Sequence, residues 1–80
     1  MIDNIYASVG LCPLCGQGNL VIAVEGSSGA NYILCEECYA EWPSPDAITD
    51  ITKAGRGMYG RSDFLKLSET RGHPWGRFVK

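Results

Sequence analysis

All four cysteines of this chain lie in two Cys-x-x-Cys pairs, Cys12/Cys15 and Cys35/Cys38, with nineteen residues between the pairs. Thiolate sulfur is a preferred ligand of zinc, and two such pairs at this spacing are typical of a four-cysteine zinc site. Four thiolates complete a tetrahedral shell and leave no coordination position for water or a substrate. The sequence therefore predicts one Zn²⁺ per chain, bound by the four cysteines, with a structural rather than a catalytic role.

Two other chemistries also use four cysteines. In a secreted protein they form two disulfides, and four thiolates also suit iron. Residues 1–6 lack the basic stretch of a secretion signal, and no apolar run approaches the ~18 residues of a membrane span. We therefore expect a cytoplasmic protein, and in a reducing compartment paired Cys-x-x-Cys motifs are more often metal ligands than cross-links.

The chain is short enough for a metal ion to decide whether it folds. A domain near 80 residues buries only about 60% of the surface that its unfolded chain exposes. Structural zinc contributes about 10 to 16 kcal/mol in small finger-like domains at neutral pH. We expect residues 1–80 to form a single domain that requires the metal.

Short local signals place the cysteines on tight turns and a hairpin. Pro13 restricts one backbone angle and Gly16 can adopt the positive φ needed after the second ligand, which predicts a tight turn, or knuckle, around the first pair. The β-rich stretches 20–24 and 32–34 flank a glycine-containing loop, which predicts a hairpin that returns Cys35 to this knuckle. Their apolar residues do not alternate strictly, so the sequence leaves the buried face of the hairpin open.

These features resemble the zinc ribbons, in which two knuckles hold one zinc ion at the end of a small antiparallel sheet. The resemblance rests on Cys-Pro-Leu-Cys-Gly, the predicted hairpin and Cys-Glu-Glu-Cys, and it covers residues 11–42. It implies the metal and the fold but no single function, because zinc ribbons serve transcription, translation, enzymes and protein docking alike.

One residue departs from the ribbon pattern. Tyr39 stands where a second knuckle favours glycine, so a helical turn over residues 36–42 is the alternative, as in the related treble-clef arrangement. Rubredoxins also use Cys-Pro-x-Cys-Gly and bind iron through four thiolates. Because the second glycine of that pattern is missing here, the sequence favours zinc over iron.

The second half, residues 43–80, carries two apolar patterns of helical period. Pro45 suits a first helical position, and a helix over residues 45–54 follows from the apolar spacing of Ala47, Ile48, Ile51 and Ala54. A second helix is predicted over residues 63–71, where apolar residues precede a glycine and a proline. The predicted fold class is a small metal-stabilised α+β domain, a zinc ribbon with a β-hairpin plus two short C-terminal helices.

Charge is divided unevenly along the chain, with a boundary at residue 52. Residues 1–52 contain seven acids and no Lys or Arg, for a formal charge of −7, whereas residues 53–80 carry +5. Four thiolates around one Zn²⁺ are dianionic and make the first half more negative still. Such an electric field steers a cationic partner to the acidic residues 1–52, or a phosphate backbone to the basic residues 53–80. The alternative is that the two halves pack together and neutralise each other.

Catalytic constellations are nearly absent from the sequence. His73 is the only histidine and lies in Gly72-His73-Pro74-Trp75-Gly76, where a turn role is more frequent than a catalytic one. No nucleophile and base can be paired from the sequence. We therefore expect a protein that is not an enzyme.

The most favoured function is a binding module that acts through a protein partner. The Cys-x-x-Cys-x-x-x-Trp segment resembles small stand-alone bacterial ribbons, which implies by analogy an inhibitor or immunity protein that neutralises a cationic toxin or nuclease. The alternatives are a nucleic-acid-binding ribbon of transcription or translation that uses residues 53–80, and an electron-transfer or thiol-redox protein. The residues predicted to bind a partner are Glu36, Glu37, Glu41, Trp42, Arg71, Trp75 and Arg77.

Overall fold

The computed structural model describes residues 6–57 and 62–79, and these form one antiparallel sheet of five strands. The strands are β1 Ser8–Leu11, β2 Asn19–Glu25, β3 Asn31–Cys35, β4 Glu41–Trp42 and β5 Ser62–Phe64. Short 3₁₀ turns complete the described structure at Pro45–Thr49, Ile51–Lys53, Leu67–Glu69 and Gly76–Phe78. The sheet order is β1-β2-β3-β4, and β5 also pairs with β2. Among the described residues, no helix has the length and apolar character that crossing a membrane requires.

The predicted hairpin is confirmed. Strands β2 and β3 pair from Val24 opposite Asn31 to Leu20 opposite Cys35, so the pairing returns Cys35 to the start of β2. The loop between the strands is held by Glu25, whose carboxylate accepts hydrogen bonds from the residues that follow it. The hydroxyl and amide groups of Ser28 and Ser27 lower the pKa of Glu25 to about 2.

Both faces of the hairpin are buried, which explains why its apolar residues do not alternate with polar ones. One face contributes Leu20, Ile22 and Ile33 to a main cluster that includes Trp42. The opposite face forms a second cluster from Val21, Ala23, Tyr32 and Leu34. Residues of the second half cover the main cluster, with Ile48, Leu65 and Phe78 packed against it.

The predicted helix over residues 45–54 is wrong. Two 3₁₀ turns occupy this segment, and Asp50 between them is extended, with φ −116° and ψ 100°. The Asp50 carboxylate accepts a hydrogen bond of 3.0 Å from the backbone N–H of Thr52, and this local bond competes with the helical one. Neighbouring β-branched side chains lower the helix propensity further. The apolar spacing alone was therefore a poor guide to the backbone.

The second predicted helix, over residues 63–71, is also wrong. Residues Ser62–Phe64 pair with the end of β2 as strand β5, and only Leu67–Glu69 forms a 3₁₀ turn. Phe64 packs against the second cluster while Leu65 packs against the main one. Consecutive apolar residues that contact opposite faces follow the twofold period of a strand. The fold is therefore a small antiparallel β-sheet and not the predicted α+β domain.

The corrected backbone changes what is expected of the two isoleucines in the first of these segments. Ile51 is 52% exposed, whereas Ile48 is half-buried against the main cluster. We expect Ile48→Ala to cost about 1 to 2 kcal/mol of unfolding free energy and Ile51→Ala to cost less than about 0.5 kcal/mol. Denaturant unfolding of the metal-loaded variants measures both, and equal losses would instead support a helix that buries the two side chains together.

Candidate metal centre

Two turns of the same design carry the cysteines. In the first knuckle the Gly16 amide donates to the Cys12 carbonyl at 2.9 Å, and in the second the Tyr39 amide donates to the Cys35 carbonyl at 3.1 Å. Each bond joins residues four positions apart and encloses both cysteines of its pair. The two pairs are therefore presented by equivalent backbone loops at the open end of the hairpin, where Leu20 pairs with Cys35.

The residue after each second cysteine is left-handed in both knuckles. Gly16 has φ 70°, as predicted, and Tyr39 has φ 63°. The alternative of a helical turn over residues 36–42 is not found, since strand β4 begins at Glu41. A second knuckle thus forms with tyrosine in the position that favours glycine, at a backbone cost of about 1 to 2 kcal/mol.

The knuckles bring the four thiols into one cluster. All four Sγ atoms lie within 4.8 Å of one another, with Cys12 and Cys38 separated by 3.8 Å and Cys15 and Cys35 by 3.6 Å. Sulfur atoms at the corners of a ZnS₄ tetrahedron are about 3.8 Å apart when each Zn–S bond is about 2.3 Å. The four cysteines are therefore positioned to bind one metal ion.

Backbone amides point at the sulfur atoms. The Gly18 amide donates to Cys15 Sγ at 3.4 Å, and the amides of Glu37 and Cys38 donate to Cys35 Sγ at the same distance. Such bonds stabilise thiolates, which are the metal-binding form of cysteine. The donor set and its hydrogen bonds therefore fit a tetrahedral metal ion.

The metal-free thiols differ in acidity. Hydrogen bonds from the amides of Gln17 and Gly18 lower the pKa of Cys15 to about 6, whereas burial raises the pKa of Cys35 to about 12. A buried thiol of this kind becomes a thiolate when a cation supplies compensating charge. Metal binding at neutral pH is therefore expected to release protons.

Gly18 is a residue of the centre that the sequence did not single out. A Cβ atom at this position would lie 2.6 Å from Cys35 Sγ and 2.8 Å from Glu37 Cβ. Its carbonyl also accepts a bond of 2.8 Å from the Cys12 amide. Gly18 therefore lies between the two knuckles, and the available signal was a second glycine two residues after Gly16.

The acidic and aromatic residues predicted to bind a partner fall into two groups. Glu36 and Glu37 are exposed on the second knuckle. Glu41 is 6% exposed and Trp42 has no exposed surface, because both lie in β4, where Glu41 pairs with Gly55 and Trp42 joins the main cluster. These two belong to the interior of the fold, which removes them from a binding surface.

The other residues predicted to bind a partner, Arg71, Trp75 and Arg77, lie after β5. Arg71 is exposed beside an open cavity of about 680 Å³. Trp75 is half-buried against the main cluster, and the exposed guanidinium of Arg77 lies 4.9 Å from the centre of the Phe78 ring. His73 accepts a hydrogen bond of 3.0 Å from the Trp75 amide through Nδ1, which fits its predicted turn role.

One basic residue of the second half reaches the knuckles. Arg56 Nε donates a hydrogen bond of 2.9 Å to the Cys38 carbonyl. This bond ties the segment after the second 3₁₀ turn to the metal-binding end of the sheet. Sequence spacing gave no signal for it, because the two partners are eighteen positions apart.

Comparison with protein-family models, with curated proteins and with solved structures finds no match for this chain. The likeness to zinc ribbons therefore rests on the cysteine tetrad and its two knuckles.

Proposed function

We propose that the protein is a zinc-stabilised binding module in which one Zn²⁺ is held by Cys12, Cys15, Cys35 and Cys38. The observation that carries this proposal is the mutual approach of four thiols within 4.8 Å. Four thiolates fill the coordination shell of zinc, so the ion would join the knuckles rather than activate a substrate. Zinc also has no redox chemistry, which suits a purely structural centre.

Native mass spectrometry of the freshly purified protein tests the metal. We expect one zinc ion per chain and four cysteines that alkylate only after denaturation and chelation. A red, iron-loaded protein would show that the site binds iron and not zinc. A metal-free chain with two disulfides would contradict a metal centre of any kind.

A cationic protein is the partner that the charges favour. Glu36 and Glu37 are exposed beside two of the ligands, and neither carboxylate forms an ion pair with a described residue. A dianionic zinc centre adds negative charge at the same end of the molecule. An inhibitor of a cationic toxin or nuclease, expected from the sequence, would bind through this end.

A nucleic acid is the second candidate partner. The observation in its favour is that Arg71 and Arg77 are both exposed, with Arg77 stacked over Phe78. Exposed guanidinium groups bind phosphates, and aromatic rings stack with bases. Two further basic residues of this half, Arg61 and Lys80, lie outside the described residues.

Two matched double variants separate these partners. A binding partner is first recovered by affinity capture with and without nuclease treatment. For a cationic protein, Glu36→Lys with Glu37→Lys should slow association by about tenfold at low salt, because electrostatic steering acts mainly on the on-rate. The control Arg71→Ala with Arg77→Ala should leave that rate unchanged.

If the partner is a nucleic acid, the arginine variant should affect binding and the glutamate variant should not weaken it. Arg71→Ala with Arg77→Ala should weaken binding and flatten its salt dependence, with one unit of slope lost for each phosphate contact. Zinc content should be unchanged in all four substitutions, which shows that the fold survives them. A partner that is indifferent to both pairs would contradict both functions.

A further inference from the structure

Exposed apolar side chains lie next to the four cysteines in the sequence. Among the described residues, six large hydrophobic side chains are exposed, and three of them adjoin the cysteines in sequence. Leu11 is 64% exposed before the first pair, Leu14 is 42% exposed within it, and Tyr39 is 64% exposed directly after the second. Half of the exposed large apolar side chains of the described residues therefore adjoin the predicted metal ligands.

Tyr39 is the most informative of the three. Its φ of 63° is unfavourable for any residue with a Cβ atom, and Gly16 occupies the equivalent position of the first knuckle at φ 70°. Burial does not compensate for this conformation, because most of the Tyr39 side chain is exposed. Glycine would serve the fold at least as well, so the phenol ring is better explained by a contact outside the chain.

The charges beside Tyr39 indicate what that contact would be. Glu36 and Glu37 precede it in the same knuckle with exposed carboxylates, and a metal-bound tetrad of thiolates is itself negative. Arg56 supplies one opposing charge through its bond to Cys38. The balance is negative, which disfavours a phosphate backbone and favours a basic chain.

We propose that Leu14, Glu36, Glu37 and Tyr39, here called the knuckle surface, dock a basic segment of a partner protein that carries an apolar side chain. Tyr39 and Leu14 contact the apolar side chain, and the two carboxylates face the basic residues beside it. Tyrosine is one of the residue types enriched in binding hot spots. This inference rests on the proposed protein-binding function and assigns to it a surface and a class of ligand.

The variant Tyr39→Gly separates binding from folding. It removes the ring and relieves the left-handed backbone, so the zinc-loaded protein should keep its melting temperature or gain a few degrees. Binding through the knuckle surface should weaken by about tenfold or more. Tyr39→Phe keeps the ring and should bind like the wild type.

A backbone control comes from the other knuckle. Gly16→Ala places a side chain at φ 70° where nothing lies within 4 Å of the added Cβ. It should lower the melting temperature by several degrees and leave binding unchanged. Tyr39→Gly should thus weaken binding without loss of stability, whereas Gly16→Ala should lower stability without loss of binding.

The probe is a set of short lysine-rich peptides that contain one tryptophan, titrated into ¹⁵N-labelled zinc-loaded protein. We expect amide shifts at Leu14, Glu37 and Tyr39, and weaker binding when the peptide tryptophan becomes serine or its lysines become glutamates. Equal affinity for Tyr39→Gly, shifts confined to residues 71–77, or no binding would overturn the knuckle surface. Shifts confined to residues 71–77 would leave the protein-binding function standing, whereas a chain without metal would contradict the zinc module itself.

Discussion

Removal of the metal ion with a chelator is expected to unfold the protein. Structural zinc contributes about 10 to 16 kcal/mol in small domains, and the net stability of a folded domain is only about 5 to 15 kcal/mol. Without the ion, the buried Cys35 thiol and its neighbours no longer connect the two knuckles. The short strands β1, which ends just before Cys12, and β4, which begins three residues after Cys38, would then lose the anchor beside them.

The buried Trp42 makes this unfolding visible. Its side chain has no exposed surface in the folded protein, so its fluorescence should shift to longer wavelength when the chelator is added, together with a loss of β-sheet circular dichroism. Added Zn²⁺ should restore both signals, and magnesium is the matched control because it prefers oxygen ligands. Acid should act as the chelator does, since protons compete with the metal for thiolates. A metal-free protein with an unchanged spectrum would contradict a structural centre.

The metal site is predictable from the sequence because its determinants are local. Two residues between paired cysteines fix the geometry of a knuckle, and Gly16 supplies the backbone angle that closes the first one. The hairpin is equally local, since β-rich stretches flank one short loop between Val24 and Asn31. In such cases neighbouring residues carry the whole signal.

The second half could not be predicted in the same way, because its structure depends on distant partners. The extended conformation of residues 62–64 is stabilised by pairing with β2, whose partner residues lie about forty positions earlier. Trp42, one of the residues predicted to bind a partner, is buried in the main cluster. Aromatic residues occur in both cores and interfaces, and only the packing decides between the two. For Tyr39, the sequence showed that it departs from the glycine of the ribbon pattern, but it did not show that the side chain is exposed.

Gly18→Ala is expected to weaken metal binding by about tenfold to a hundredfold, as loss of supporting contacts does in other metal sites. The added Cβ would lie 2.6 Å from Cys35 Sγ and 2.8 Å from Glu37 Cβ, closer than carbon contacts allow. Cys35 cannot move away freely, because it is fully buried at the end of β3. Relief must therefore come from separating the knuckles, which moves the thiols of one pair away from those of the other.

Competition with a chromophoric chelator measures this loss, and a second glycine provides the control. Gly29→Ala places its Cβ in open space at φ 75° in the hairpin loop, so it should lower the unfolding free energy by about 1 kcal/mol and leave zinc affinity unchanged. Both variants add the same methyl group, but only one adds it between the two knuckles. Wild-type affinity in Gly18→Ala would mean that the knuckles can separate without cost, and the metal would then not depend on their close approach.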